Sequence, residues 1–398
     1  MKRFAILTLA VAVAFGLLAG TAAASEPGEL LIWADADRIE VLQEFRDEFE
    51  EDLGVPINFH EKDFESINDD MGVEAPAGEG PDIFIGAHDW LGELVADGLV
   101  EPIEMDQELI DQFEEVGMNA FTFEDDIYGL PYAMESVALI YNRDLVPEAP
   151  ETFDEFAEVV RDISAEDDKY GFALPQPDPY HTYPFMTALG GYVFGYDEVE
   201  GWNPYDIGLN NEGAVEGLSR LNELYADGSV PYVDFDTMEG LFVSGDLGMM
   251  VTGPWVFPAL DDAGIDYGVA QIPHMNDNPP QPFVGVQGIM ISSFTENPIL
   301  AQTLVTELMA DEDIMYRFYE LEPRPPVHKA AAEQAADDPH TAGILESAAD
   351  GSPMPAIPEM SAVWGAWEDA LDLILTQEQD VGPALDDAVE LIEEEVQN

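Results

Sequence analysis

Six short loops at predicted strand ends gather residue types that can do chemistry. They are ADADR (Asp35, Asp37, Arg38), GAHDW (Asp89, Trp90), AMES (Glu135), DPYH (Asp178, Tyr180, His181), GPW (Trp255) and AVWGAW (Trp364, Trp367). Each supplies a carboxylate, a flat aromatic ring, or both. A pyranose offers an apolar C–H face that stacks on aromatics and a rim of hydroxyl donors. Ionised carboxylates accept those donors in charge-assisted hydrogen bonds. One such loop alone is more often a helix cap; six together favour a carbohydrate site. Catalysis is less well supported. Glycoside hydrolysis needs two carboxylates at a fixed separation, and a chain with 84 Asp and Glu yields candidate pairs by chance. There is no G-x-S-x-G elbow and no HExxH motif, and the 6 histidines are scattered. His88, beside a strand end, reads as a hydrogen-bonded structural histidine rather than a ligand or base.

The elements that must position these loops follow from apolar periodicity. Leu30–Trp33 reads as a buried strand. Ile39, Leu42, Phe45, Phe49 and Leu53 recur at helical spacing up to Gly54. Strands follow around VPINFH and Asp82–Ile85, then a helix from about Trp90 to Gly98. This alternation implies an α/β layer with a largely parallel sheet. ALIYN, YGFAL, GMMVTGPW, YGVAQIP and FVGVQGIMISS read as further strands, and Thr152 as the N-cap of a helix over TFDEFAEVVRDIS. MSAVWGAWEDALDLIL and VGPALDDAVELIEEEVQ read as C-terminal helices. The coarse expectation is two similar α/β lobes, with ligands beyond the carboxyl ends of the strands.

At 398 residues the chain exceeds one ordinary core, and 46% hydrophobic residues can fill more than one. The 12 Lys and Arg against 84 acids give a net charge of -72. Such a field repels nucleic acid and anionic lipid. The acids are spread along the whole chain, which favours adaptation to high salt, where self-repulsion is screened, over a calcium store. The D-x-D-x-D-G calcium loop is not found. Lys2, Arg3, the apolar run Phe4–Leu18 and Ala22-Ala23-Ala24 form a secretory signal peptide over residues 1–24, with cleavage expected near Ala24. The run is short for a membrane span. With no cysteine there is no disulfide, thiolate metal site or lipid-anchoring thiol. The expectation is a free periplasmic protein with no membrane anchor.

The stretches GELLIWAD, GPDIFIGAHDWLGELVADGLVEPI, YGLPYAMESVALIYNRDLVPEAPETFDEF, DPYHTYPFMTALGGY, GDLGMMVTGPW, QPFVGVQG and MPAIPEMSAVWGAWEDAL together resemble the bacterial periplasmic maltose/maltodextrin-binding proteins. They occur in that family's order and cover essentially the whole mature chain. The resemblance implies a two-lobed periplasmic-binding fold (type II), its lobes joined by three hinge crossovers. The N-terminal lobe would comprise residues 25–134 and 287–333, and the C-terminal lobe 135–286 and 334–398. It implies capture of an α-glucan oligosaccharide in the interlobe cleft and delivery to the membrane subunits of an ABC importer. It implies no catalysis and no cofactor, and a monomer. By motif, Asp35, Asp37 and Arg38 match the first sugar-contacting loop, which usually ends in Lys. Asp89 matches a hydroxyl-binding Asp and Glu135 a cleft Glu. Asp178, Pro179 and Tyr180 match a loop that usually begins with Glu. Trp255 and Trp364 match two stacking tryptophans, and Met354 a cleft-lining Met. The best-known members carry Trp at Gly86, Arg at Trp90, Phe at His181, an aromatic at Gly365 and Arg at Glu368. An indole has therefore moved four residues along one loop, and the ends of the cleft are altered. Glu61, Lys62 and Glu65 are candidates for the contacts the family draws from residues 60–68. Other oligosaccharides or a glycosylated osmolyte such as a trehalose-like sugar are the alternative ligands.

Overall fold

The computed structural model describes residues 28–166, 168–197 and 201–397. The signal-peptide reading of residues 1–24 therefore lies outside the described residues. Ten strands make two mixed sheets. The first sheet holds β1 (Leu30–Ala34), β2 (Ile57–Glu61) and β3 (Ile83–Ala87), parallel to one another. β4 (Gly129–Glu135) belongs to it as well. The second holds β5 (Ala138–Asn142), β6 (Tyr170–Ala173), β7 (Leu247–Thr252) and β8 (Tyr267–Ala270), in the order β8-β5-β7-β6. The chain then returns to the first sheet through β9 (Phe283–Ile291), antiparallel to both β3 and β4, with β10 (Ser352–Pro353) on its outer side.

β1 and β3 are buried at every position, as expected of parallel strands covered on both faces. The helix Ala36–Leu53 lays Ile39, Val41, Leu42, Phe45 and Phe49 against that sheet. Thr152 caps the helix Phe153–Ser164 in a reciprocal capping box with Glu155. Separate hydrophobic cores lie on the two sheets. The chain passes between the two packed bodies three times. It crosses from β4 to β5, from β8 to β9, and from the helix Lys329–Ala335, packed with the first core, to Pro339–Ala348, packed with the second. Among the described residues no helix is long and apolar enough to cross a membrane.

Some local expectations change. AVWGAW is not a strand-end loop but lies in the helix read over MSAVWGAWEDALDLIL: Trp364 and Trp367 are within Ser361–Leu375, whose apolar spacing places Trp367 fully in the core. Asp37 and Arg38 belong to the first turn of a helix, as do Pro179 and Tyr180. The second sheet is less parallel than expected, because β5 runs antiparallel to β7 and β8. A hairpin over Tyr192–Asp197 and Gly201–Gly208 was not singled out from the sequence, and Pro204 lies inside its second strand.

Candidate functional site

The first wall of the site stands on the ends of β1 and β3. Asp35 caps the helix that follows β1: its carboxylate accepts from the Arg38 backbone N–H at 3.0 Å and is ion-paired with the Arg38 guanidinium. Arg38 is buried, donates from Nε to the Tyr132 hydroxyl at 2.7 Å, and lies 4.6 Å above the Phe64 ring. Burial opposes its charge, but Tyr132, Asp35 and Glu135 outweigh that, so it stays firmly protonated. Asp37 is exposed and faces Glu239 of the other sheet's body.

After β3 the chain makes a single 3₁₀ turn, His88–Trp90. His88 is buried, and its Nδ1 accepts from the Val286 N–H at 3.1 Å. Burial pushes its pKa down to about 4, despite a hydrogen bond to the Met354 backbone. It is a neutral structural residue, as the sequence suggested. Asp89 is also buried, and its Oδ1 has no protein partner. Burial and the nearby Glu135 push its pKa up to about 7, while its own backbone N–H and the Trp364 indole pull it partway back. The Trp90 ring lies directly over Gly86, where any added Cβ would meet ring carbons at 2.3 Å, and it contacts Phe64 at 5.0 Å between centroids. The indole thus fills the space that a side chain at Gly86 would take.

The opposite wall is aromatic. Asp178 caps the helix Pro179–Thr187, accepting from the His181 N–H at 3.0 Å, and its second oxygen lies 2.9 Å from His181 Nδ1. Pro179 is buried at the first helical position. Tyr180 stacks on Phe283 at 5.9 Å and sits 6.3 Å from Trp255. Its hydroxyl is buried without a protein partner, and burial with Glu135, Asp89 and Asp178 nearby pushes its pKa well up. Trp255, in the turn after β7, packs over Gly253, and Trp364 meets Phe283 edge-on at 5.9 Å.

The floor lies where the chain crosses. Glu135 is buried at the end of β4, accepting from Gln287 Nε2 at 2.7 Å and from Arg324 Nε at 2.8 Å. Met354 is buried beside it, near Gly285. Asp89, Glu135, Tyr180, Trp255 and Trp364 therefore converge, with Met354 behind them. Asp35 and Arg38 lie on the same wall as Asp89 and Trp90, and Asp178 and Pro179 on the wall of Tyr180.

At one end, Glu65 is exposed and pushed up by partial desolvation and by Asp178, Asp63 and Glu368. Lys62 turns away: it is ion-paired with Asp70 at 2.7 Å and Glu74 at 2.9 Å and lies over Trp33. Glu61 is exposed at the end of β2. Arg324, Gln287, Phe283 and Phe64 were not singled out from the sequence. Arg324 stands among prolines, and the other three look like ordinary core or strand residues.

This arrangement can bind a ring with one apolar face and several hydroxyl donors, since Asp89 Oδ1 and the Tyr180 hydroxyl, buried without a protein partner, lie beside the aromatic faces of Trp255, Phe283 and Trp364. Among the described residues no cluster of His, Asp and Glu is arranged to hold a metal ion. A sequence profile described as bacterial extracellular solute-binding protein matches residues 44–343. The chain is 30% identical to the galactooligosaccharide-binding protein of Bacillus subtilis, over 98% of this chain and 96% of the relative. It is 32% identical to the maltotriose-binding protein of Pyrococcus abyssi, over 87% of this chain and 78% of the relative. The maltodextrin-binding protein of Bacillus subtilis is 28% identical, over 99% and 97%.

Proposed function

This chain belongs to the bacterial extracellular solute-binding proteins, and on that premise we propose that it captures maltodextrin-type α-glucans between its two lobes and delivers them to the membrane subunits of an ABC importer. The observation that carries the reading is the convergence of Tyr180, Trp255, Phe283 and Trp364 on the buried carboxylates of Asp89 and Glu135. The aromatics would hold the apolar face of a glucose ring, and the carboxylates would accept from its hydroxyls. Asp35, Asp37, Arg38, Trp90, Asp178, Pro179 and Met354 complete the proposed ligand-binding set. The names of the maltotriose- and maltodextrin-binding relatives support the choice of sugar.

The proposed lobes are residues 25–134 with 287–333 and residues 135–286 with 334–398, after a cleaved signal peptide ending near Ala24. Closure about the three crossings would be favoured by a sugar that touches both walls, because its contacts are better in the closed state. We take the protein to act as a free monomer in the periplasm of a salt-adapted bacterium and to perform no chemistry.

A second reading has its own support. A relative matched end to end at 30% identity is named for galactooligosaccharides, and Trp90 over Gly86 reshapes one end of the cleft. Titration calorimetry in about 2 M salt, where surface charge is screened, tests both. Binding of maltotriose supports the first reading. Binding of a galactotriose with none of any malto-oligosaccharide replaces it by the second. Steady release of reducing sugar from either ligand would overturn the non-catalytic reading.

A further inference from the structure

Segments at the three crossings each send one polar side chain to a single buried point. Glu135 ends β4 at the first crossing, and Gln287 lies on β9 after the second. Arg324 lies in the segment Glu322–Val327 that leads towards the third. That segment runs beside β4, with the Met134 N–H donating to the Pro325 carbonyl at 2.8 Å and the Val327 N–H to the Tyr132 carbonyl at 3.2 Å. Glu135, Gln287 and Arg324 are 8%, 1% and 5% exposed. Gln287 and Arg324 each take one oxygen of the Glu135 carboxylate. Arg324 Nη1 is paired with Glu322, and the guanidinium lies 5.8 Å from the Trp255 ring centroid.

A carboxylate this buried is costly unless it is paired and hydrogen-bonded. Arg324 supplies a positive charge beside Glu135, and its Nε–H, on a planar guanidinium held at Nη1 by Glu322, holds one of the two carboxylate oxygens. An ionised carboxylate has about four acceptor sites, so two partners leave acceptor capacity for a ligand hydroxyl. Gln287 Nε2 and Arg324 Nε each hold one oxygen of Glu135, so the carboxylate is fixed from two sides.

We propose that Arg324 is a positioning residue for ligand capture, acting through Glu135 from the segment that leads into the third crossing. The inference rests on the sugar-cleft reading above and deepens it.

The test is titration calorimetry in high salt with the trisaccharide that the parent protein binds, maltotriose or a galactotriose. It uses Arg324→Met, Arg324→Lys, Glu135→Gln and the double variant Glu135→Gln/Arg324→Met. Arg324→Met is expected to weaken binding about tenfold or more, and Arg324→Lys less, because an ammonium restores the charge but not the planar guanidinium that spans Glu135 and Glu322. If Arg324 acts through Glu135, the double variant binds no more weakly than Glu135→Gln alone. Losses that simply add in the double variant would be those of a structural residue and would overturn the inference, as would parental affinity in either Arg324 variant. Arg324→Lys keeps the test decisive if Arg324→Met does not fold. A parent that binds neither trisaccharide overturns the sugar reading itself, and the inference with it.

Discussion

At the end of β3 the Trp90 ring lies over Gly86; at the end of β7, in the other sheet, the Trp255 ring lies over Gly253. Both strands are fully buried, both run into a single 3₁₀ turn, and both turns open a helix. A Cβ at either glycine would meet the indole at 2.3 Å or less. The neighbours differ. Trp90 meets Phe64, which carries Arg38 on its face, next to the acids of the first wall. Trp255 meets Tyr180 and His181, backed by Phe283 and Trp364. A glycine opposite the turn decides where an indole sits, while the elements packed around it decide what the wall can bind.

The largest expected effect removes both walls at once. Moving the protein from about 2 M to about 0.05 M salt lengthens the Debye screening length severalfold. Self-repulsion at a net charge of -72 is then screened far less. Circular dichroism should show extensive unfolding, and equal helicity at both salts would refute the halophilic reading. Among the described residues every Lys and Arg except Lys329 is ion-paired with an acid, and Lys329 donates to the Asp111 carbonyl. Those pairs still leave most of the acids without a basic partner.

The next effect separates the walls. Trp255→Ala or Trp364→Ala should weaken sugar binding by about 2 kcal/mol or more, the scale of a buried aromatic anchor, and Trp90→Ala by about 1 kcal/mol. Calorimetry showing equal losses would erase the asymmetry between the lobes. Parental affinity in both Trp255→Ala and Trp364→Ala would mean the assigned cleft is wrong. Substitutions at the two glycines perturb each wall less. Gly253→Ala should displace the Trp255 ring and weaken binding about tenfold, whereas Gly86→Ala should cost about threefold, following the same ranking of aromatic anchors.

The smallest effect concerns Asp89 in the unliganded protein. Its pKa is raised to about 7 in the fold against 3.8 for the ordinary group, so the folded state holds a proton that the unfolded chain has released. The associated stability is fully present below pH 3.8 and is lost as pH rises through about 7. Asp89→Asn should therefore raise the melting temperature at pH 8 by about 2–4 °C, relative to its effect at pH 4. No pH dependence in that difference would show that Asp89 is better solvated than its burial implies.

Much of this was legible in the sequence because local signals and the fold agree. The apolar period over Ile39–Phe49, the Thr152 cap and the buried runs of β1 and β3 each coincide with an observed element. The placement of Asp89 and Trp90 at a strand end followed from the same pattern. The cluster of Glu135, Gln287 and Arg324 was not legible, because Arg324 and Glu135 are 189 positions apart. Arg324 sits in EPRPPV, a stretch with no periodicity, so nothing local marks its partner. The orientation of Lys62 was equally hidden: its ammonium is drawn to Asp70 and Glu74 on the following helix, a choice made by packing.

The scarcity and pairing of basic residues also bear on survival outside the cell. Proteases of trypsin-like specificity cut after Lys or Arg, and this chain has only 12 such positions. Arg38 and Arg324 are buried, and Lys62 is held in a double ion pair. A folded molecule offers such an enzyme few cleavable bonds, whereas one that cuts after Glu meets candidate sites along most of its length.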